Sequence, residues 1–555
     1  MGSLNQQINY RALPQAEKYL LKENKKEDAK ALFFIQQAME ESYFPKVAAV
    51  TRGKQAWEVT KLTLAIWWKP LQISKHFQSQ GITGPPYRLL VGNLLEFTKL
   101  LNEATSKPMK LTHDIAARVQ PYYPWWSKIY GSTFLMWIGP IPTLVVGASE
   151  LAKNALGDMK NSYGKPKWDA VLKELFGGGL VMLDGDKWAH HRQIINPSFH
   201  ADKLKDMASG MMESTTHMLE KWEKIVKNGE KEMDVAPEFK ALTSDIIART
   251  AFGSSYLQGN HIFDLLSQQI SLTCQDYAKL LFPCYRFLPF KRNRECWRLN
   301  KEIKSALKDL IMKREMSGTN TTQGYGNDLL GSMMNTIQEM RSSKMNGGLT
   351  TEEIIPECKT FFIAGQETTS NHLTYAIVLL AMYPEWQEKA RSEIQEICGN
   401  SHPQFETINK LKTLGMILNE VIRLYPPAVA YMREIHKDTT LGGIAIPKGT
   451  QILIPTLSLN HDTSLWGDDA DEFNPERFSQ GIANATKDDS TVFIPFGYGL
   501  RTCVGKNYAM LESKVVLAMI LQRFSFVLSP GYIHAPTTLL TIFPQHGAPI
   551  IFQKL

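Results

Sequence analysis

The chain has 555 residues, of which 43% are apolar and 21% are charged, and its formal net charge is +7. This composition is ordinary for a globular protein, and so modest a charge gives no signature of a nucleic-acid-binding protein. Six cysteines are too few for a disulfide scaffold of this length and show no paired metal-ligand spacing, which favours a reducing compartment. We expect one large domain with a short appendage.

The first sixty residues are polar and contain no apolar run near the length of about 20 residues that spans a bilayer. The longest apolar run nearby, Leu62 to Trp68, has seven residues, so neither an anchor nor a secretory signal is expected. Residues 26–57 predict a helix that breaks at Pro45, and they resemble part of the gag-type polypeptide of plant copia-like retrotransposons. Residues 1–61 are therefore expected to be an atypical extension, either a retroelement fragment that replaced an anchor exon or a lineage-specific soluble segment.

Residues beyond 62 change in character towards a folded body. Trp67, Trp68 and Lys69 are the kinds of residue that collect at a membrane interface. Residues 130–146 are rich in β-branched and aromatic side chains around a Gly-Pro pair, which predicts the strands of a small sheet. Residues 205–320 predict long helices joined by polar loops. Before them, Trp188 and Arg192 lie four positions apart and share one face of a predicted helix.

Residues 350–383 predict a long helix that is interrupted at 364–370, where the sequence AGQETTS replaces the apolar face with small and polar side chains. Gly365 costs about 1 kcal/mol in a helix interior, and threonine hydroxyls bond back to the preceding turn and bend it. These features predict a locally widened turn. The apolar residues just before it indicate that Glu367 and Thr368 are buried rather than part of a solvated face.

Glu420 and Arg423 are three positions apart and can pair on one helix face. Pro426 and Pro427 then break the helix, and the following residues continue as a strand through Arg433. We assign the Glu420–Arg423 pair a structural role, because losing one partner of a buried ion pair costs about 3–5 kcal/mol.

Residues 496–505 read FGYGLRTCVG and come just before a helical pattern from Tyr508 to Phe524. The glycines allow tight turns and close contacts, and a cysteine near a helix N-terminus has a depressed pKa. Cys503 is therefore predicted to ligate a haem iron, an arrangement that favours O–O cleavage over reversible O2 binding, and Arg501 is placed to meet a haem propionate. The alternative is that Cys503 packs as a small apolar residue.

The same stretch carries a family resemblance. Phe496, Gly499, Arg501, Cys503 and Gly505 occupy every fixed position of the signature F-x-x-G-x-R-x-C-x-G, so the chain resembles the cytochrome P450 family over roughly residues 62–555. The resemblance implies a mainly α fold with small β-sheets, in which residues 62–555 form the haem domain. One haem b would lie between a long oxygen-activating helix and the helix that follows residues 496–505, which we call the cysteine loop.

The resemblance implies a set of haem contacts and one structural network. Trp188, Arg192 and Arg433 would hold the haem propionates, and Phe496 and Arg501 would contribute to cofactor binding from the cysteine loop. The sequence around residues 473–478 would supply a second arginine to the buried Glu–Arg pair of the preceding helix.

Glu367 and Thr368 match the acid–alcohol pair of the family. Thr368 would donate a hydrogen bond to the bound oxygen, and Glu367 would relay protons inward through water. Residues 428–432 and a terminal hairpin with its tip near Phe543 would line the substrate pocket.

The implied reaction is insertion of one oxygen atom of O2 into an apolar small molecule, with electrons from NADPH through a flavoprotein reductase. Residues 461–478 and 544–551 look most like the plant clan that oxidises gibberellins, brassinosteroids, cytokinins and triterpenoids, so we expect a terpenoid-, hormone- or fatty-acid-like substrate. The family implies the cytosolic face of the endoplasmic reticulum membrane, with a peripheral or cytosolic location as the alternative. The positive charge would serve to dock the reductase or would simply be spread over surface lysines, and no nucleic-acid partner is expected.

Two other functions are weighed against this one. A hydroperoxide-rearranging enzyme of the allene oxide synthase kind needs no external electrons, but such enzymes lack the acid–alcohol pair that Glu367 and Thr368 supply. The second alternative is a haem-binding but inactive product whose altered N-terminus prevents membrane assembly.

Overall fold

The structure, a computed structural model, describes residues 67–555 apart from 158–161, 167–169, 228, 254–255, 276–287, 319–324, 327, 343–348 and 487–492. The predicted extension at residues 1–61 and its boundary lie outside the described residues. The described residues fall within the predicted haem domain, residues 62–555.

Helices make up most of this domain, and small sheets lie around them, which confirms the predicted fold class. The helices are α1 Lys69–Gln78, α2 Leu94–Thr105, α3 Ala116–Val119, α4 Tyr122–Tyr130, α5 Ser149–Leu156, α6 Ala170–Phe176, α7 Gly185–Ile195, α8 Ala201–Val226, α9 Val235–Phe252, α10 Tyr256–Gln275, α11 Lys291–Gly318, α12 Leu329–Ser342, α13 Thr351–Met382, α14 Pro384–Cys398, α15 Phe405–Ile408, α16 Lys412–Leu424, α17 Thr456–Asn460, α18 Thr463–Trp466 and α19 Lys506–Arg523. Short 3₁₀ turns lie at Asn196–Phe199, Pro475–Phe478, Ile482–Asn484 and Gly499–Arg501.

The strands of the described residues form four small sheets. They are β1 Thr133–Ile138, β2 Ile141–Val146, β3 Tyr163–Gly164, β4 Lys231–Asp234, β5 Tyr431–Ile435, β6 Thr439–Leu441, β7 Ile444–Ile446, β8 Gln451–Ile454, β9 Phe524–Leu528, β10 Pro536–Thr538, β11 Ile542–Pro544 and β12 Pro549–Lys554. The largest sheet has the order β1-β2-β8-β5-β3, a second has the order β4-β12-β9, and β6-β7 and β10-β11 are two-stranded. The predicted strands in residues 130–146 are the antiparallel pair β1 and β2.

The core is built around α13, whose side chains are buried over most of its 32 residues. Its N-terminus is fixed by a capping box between Thr350 and Glu353. The helix packs closely against α9, where the rings of Phe252 and Phe362 stack with centroids 4.1 Å apart. A Cβ at Gly365 would lie 2.8 Å from Cδ1 of Ile247, so the glycine allows these two helices to approach each other.

Three predicted features differ in the structure. Helix α13 runs without interruption through residues 364–370. The Thr368 hydroxyl does donate to the Ala364 carbonyl of the preceding turn, but the helix continues through this hydrogen bond. Helix α19 begins at Lys506, two residues before the predicted start. Phe543 lies within β11, paired with Thr537, so residues 539–541 form the tip of that hairpin instead.

The N-terminal end of the described chain exposes aromatic side chains. Trp67 and Trp68 are 41% and 52% exposed and lie immediately before α1. Within the described residues, no helix combines the length and the apolar character that crossing a membrane requires.

Candidate active site

The cysteine loop is shaped by its glycines and by a tyrosine of strand β5. Gly497 and Gly499 have φ angles of +74° and +70°, and a Cβ on Gly499 would come within 2.8 Å of the carbonyl oxygen of Leu156. The Tyr431 hydroxyl donates to the Pro495 carbonyl at 2.7 Å and accepts from the Gly497 N–H at 2.9 Å. Tyr431 was predicted only to line the pocket, yet it fixes the path of the loop.

Cys503 leads from this loop into α19. Its backbone N–H donates to the carbonyl of Phe496 at 2.8 Å, which closes the loop around the thiol. The side chain is exposed to solvent, although many protein atoms surround it. Burial raises the pKa of the Cys503 thiol, while a hydrogen bond from the Gly505 backbone and the charge of Arg192 lower it. The predicted depression of this pKa by the helix terminus is therefore wrong for the protein alone, because desolvation outweighs the favourable groups.

Three guanidinium groups lie beside the cysteine loop. Burial lowers the pKa of Arg433 and of Arg192. Burial likewise lowers the pKa of Arg501 to about 10, and the charges of Arg433 and Arg192 add to this effect. Asp184, at the N-cap of α7, is the carboxylate that pairs with Arg501. Among the described residues, Asp184 is the one carboxylate that forms an ion pair with these three partly desolvated cations, so they form a site suited to further anions.

The predicted propionate contacts have definite protein partners in the structure. The Arg501 guanidinium lies over the ring of Trp188, 4.0 Å from its centroid, and also donates to the Leu183 carbonyl at 2.7 Å. Arg192 donates to the carbonyl of Thr502 at 2.8 Å. Arg433 is 5% exposed and donates to the Met432 carbonyl at 3.1 Å. The structure therefore brings the predicted cofactor contacts of α7, β5 and the cysteine loop together.

One face of α13 differs from the rest of the helix. Glu367 and Thr368 are half-buried together with Ala364 and Gly365, while the neighbouring residues of the helix are buried. These positions lie three or four residues apart and so form one stripe. The Thr368 hydroxyl donates to the Ala364 carbonyl at 2.7 Å, as the sequence predicted. Among the described residues, no hydrogen bond joins this stripe to the cysteine loop.

A phenylalanine connects the two regions. The ring of Phe199 stacks on Phe361 of α13 with centroids 5.8 Å apart. A Cβ on Gly505 would lie 4.0 Å from the same Phe199 ring. Phe199 therefore lies between α13 and the start of α19.

The buried ion-pair network has the predicted members. Arg423 and Glu420 are fully buried and joined by two hydrogen bonds of 2.7 Å. Arg477 approaches the same carboxylate at 3.4 Å. Arg423 also donates to backbone carbonyls of residues 460, 470 and 472. The network thus ties α16 to the irregular segment that leads into the cysteine loop.

These residues fit a haem b group. The guanidinium groups of Arg192, Arg433 and Arg501 match the two carboxylates of such a group. Phe496 is half-buried and packs on the neighbouring aromatic cluster, with its carbonyl in the hydrogen bond to Cys503.

A buried carboxylate in α19, that of Glu512, was not predicted. Glu512 is 1% exposed, and neither of its carboxylate oxygens has a hydrogen-bond partner among the described residues. Burial raises the pKa of Glu512 well above its ordinary value of 4.5. The folded protein therefore holds this proton more tightly than the unfolded chain, and stability is lost as the pH rises from the unfolded pKa towards the folded one.

We expect Glu512→Gln to be more stable than the parent at pH 8 and equally stable near pH 4.5. Over that window the difference grows by up to about 1.4 kcal/mol per pH unit until the folded pKa is reached. Thermal midpoints of the two proteins measured across this range test the expectation. Thermal midpoints whose difference between the two proteins stays constant with pH would contradict the expectation.

Comparisons with known proteins place the chain in a family. The family model described as Cytochrome P450 matches residues 109–545. Cytochrome P450 734A1 of Arabidopsis thaliana is 45% identical over 88% of this chain and 93% of its own. Cytochrome P450 734A6 of Oryza sativa subsp. japonica is 45% identical over 90% and 94%, and Cytochrome P450 72A397 of Kalopanax septemlobus is 43% identical over 90% and 95%. The chain therefore belongs to the cytochrome P450 family, whose members are haem-thiolate monooxygenases that act on small molecules with electrons from a reductase.

Proposed function

We propose that Cys503 supplies the proximal thiolate of a monooxygenase that oxidises an apolar terpenoid-, hormone- or fatty-acid-like molecule. The observation that carries the proposal is the accessible thiol of Cys503 beside three partly desolvated guanidinium groups. Haem with a thiolate ligand supplies O–O bond cleavage when it is bound.

The cation group would bind and orient the cofactor. Arg192, Arg433 and Arg501 would hold its two carboxylates, and Trp188 would keep the Arg501 guanidinium in place by stacking. Because these cations already lie partly out of water, they have lost part of their hydration before the anions arrive. The Gly505 N–H and Arg192 would favour the charged form of the sulfur, since both lower the pKa of Cys503.

The α13 stripe would deliver protons. Glu367 carries a carboxylate on the half-buried face of the helix, where it can pass a proton through water, and the Thr368 hydroxyl one residue later can hold the proton acceptor in position. The burial of the flanking residues would exclude other water from this face. That pair is also what a hydroperoxide-rearranging enzyme does not need.

The exposed Trp67 and Trp68 support attachment to a membrane surface at the N-terminal end of the domain. We propose the cytosolic face of the endoplasmic reticulum as the location, where NADPH-cytochrome reductase is the electron donor.

The test is reconstitution of the purified protein with that reductase, NADPH and oxygen-18 gas. A panel of terpenoids, steroid hormones and fatty acids is first screened for displacement of the iron-bound water by its spectral shift, and the compounds that shift the spectrum are then assayed. We expect a product that carries one labelled oxygen atom and forms only when NADPH and reductase are both present. Turnover of a fatty-acid hydroperoxide without reductase, or failure of the reductase to reduce the protein, would contradict the proposal.

A further inference from the structure

Two hydrogen-bonded side chains, Asn371 and Thr541, connect Glu367 to a segment outside α13. Asn371 follows Glu367 by four residues on α13 and therefore lies on the same face. The Asn371 Nδ2 donates to the Thr541 hydroxyl oxygen at 2.7 Å, and that hydroxyl lies 3.5 Å from Oε1 of Glu367. Thr541 belongs to the tip of the β10–β11 hairpin, which is distant in sequence from α13.

The donors and acceptors of these two hydrogen bonds can be assigned. An amide nitrogen only donates, so the Thr541 oxygen is the acceptor from Asn371 and its own hydrogen remains to be donated. An ionised carboxylate only accepts, which makes Glu367 the matching partner. At 3.5 Å the contact is longer than a strong O–H···O hydrogen bond, so it steers the carboxylate while leaving it free to turn.

The two donors are buried while the acceptor is not fully so. Asn371 is 8% exposed and Thr541 is 5% exposed, whereas Glu367 is half-buried on the open stripe. A buried polar pair of this kind is retained only when its hydrogen bonds are made, because an unmade one costs about 1–3 kcal/mol. Asn371 and Thr541 therefore hold fixed positions beside a carboxylate that can move.

The hairpin that carries Thr541 is itself held at several points. Arg118 donates to the Pro536 carbonyl at 2.9 Å and to the side chain of Gln545 at 2.7 Å, and so clamps both ends of the hairpin. The N–H of Ile542 donates to the Pro427 carbonyl at 3.3 Å. With these anchors the Thr541 hydroxyl keeps its position relative to α13.

We propose that Asn371 and Thr541 are positioning residues that orient the Glu367 carboxylate for proton delivery. The β10–β11 hairpin then acts in catalysis as well as lining the substrate pocket, which is the role that the family resemblance implies. The inference rests on the proposed proton-delivering role of Glu367, and it adds the two side chains that set the direction of the carboxylate.

The test compares Thr541→Val and Asn371→Leu with Glu367→Gln as the reference for full loss of the carboxylate. Each variant is mixed with reductase, NADPH and O2 without added substrate, and NADPH oxidation and hydrogen peroxide release are measured in H2O and in D2O. We expect Glu367→Gln to slow NADPH oxidation by roughly 10²-fold and the two positioning variants by roughly tenfold, with a larger solvent isotope effect in all three. A crystal structure of Thr541→Val should show the Glu367 carboxylate rotated away from its present direction.

Two further variants separate positioning from folding. Thr541→Ser keeps the hydroxyl and should keep the parent rate and isotope effect. Thr538→Val removes a hydroxyl from the facing strand of the same hairpin and should also behave as the parent. Haem content and the carbon monoxide band should be unchanged throughout.

The inference is overturned if Glu367→Gln slows the reaction while Thr541→Val and Asn371→Leu keep the parent rate and isotope effect. If Glu367→Gln itself has no effect, the proposed role of Glu367 fails, and the inference fails with it. If Thr541→Val loses haem, Asn371→Leu decides the question, because it breaks the hydrogen bond that holds the Thr541 hydroxyl in position.

Discussion

A Cys503→Ala variant is expected to fold but to show no monooxygenase turnover. The loop around the thiol is held by the Cys503 N–H, by Tyr431 and by positive-φ glycines, none of which needs the sulfur atom. The sulfur is the proposed iron ligand, and without an anionic donor the iron loses the property that favours O–O cleavage. The measurement is product formation per NADPH consumed in the reconstituted system, together with haem absorbance per mole of protein.

The matched control for this variant is Cys398→Ser. Cys398 is partly exposed at the C-terminal end of α14, and this substitution should leave both turnover and haem content unchanged. Product formation by Cys503→Ala at the parent rate would show that another residue holds the iron.

Glu420→Gln is expected to prevent accumulation of the folded protein. The substitution leaves Arg423 and Arg477 without the carboxylate that both of them contact in a fully buried site. Breaking a buried pair in this way costs about 3–5 kcal/mol, against a total stability of about 5–15 kcal/mol for a typical domain. Soluble yield, haem content and the thermal midpoint of whatever protein is obtained are the measurements.

A surface pair provides the control. Glu406 pairs with Lys205 while both side chains are more than half exposed, and such pairs contribute about 0–1 kcal/mol. Glu406→Gln should therefore give the parent yield and midpoint. Equal midpoints for Glu420→Gln and Glu406→Gln would refute the structural role of the buried network.

The sequence was sufficient for the features that depend on local spacing. The Glu420–Arg423 pair, the hydroxyl of Thr368 bonding to its preceding turn and the strands of residues 130–146 all follow from contacts a few residues apart, and each is confirmed. The gathering of Trp188, Arg192, Arg433 and Arg501 was predicted through the family resemblance. Spacing alone would not have joined positions so far apart in the chain.

What the sequence did not reveal depends on contacts across long separations. Asp184 pairs with Arg501 and Thr541 approaches Glu367 only because the fold brings these segments together. Tyr431 was predicted as a pocket residue, since a strand pattern does not indicate where its hydroxyl ends. The pKa of Cys503 was predicted in the wrong direction, because the helix terminus is visible in the sequence while the depth of burial is not.

Whether an anionic sulfur from Cys503 is bonded to haem iron can be read from the carbon monoxide difference spectrum of the reduced protein. We expect a strongly red-shifted Soret band for the parent protein and the loss of that band in Cys503→Ala. A parent protein that binds haem without that band, or a band that survives in Cys503→Ala, would show that Cys503 is not the thiolate ligand.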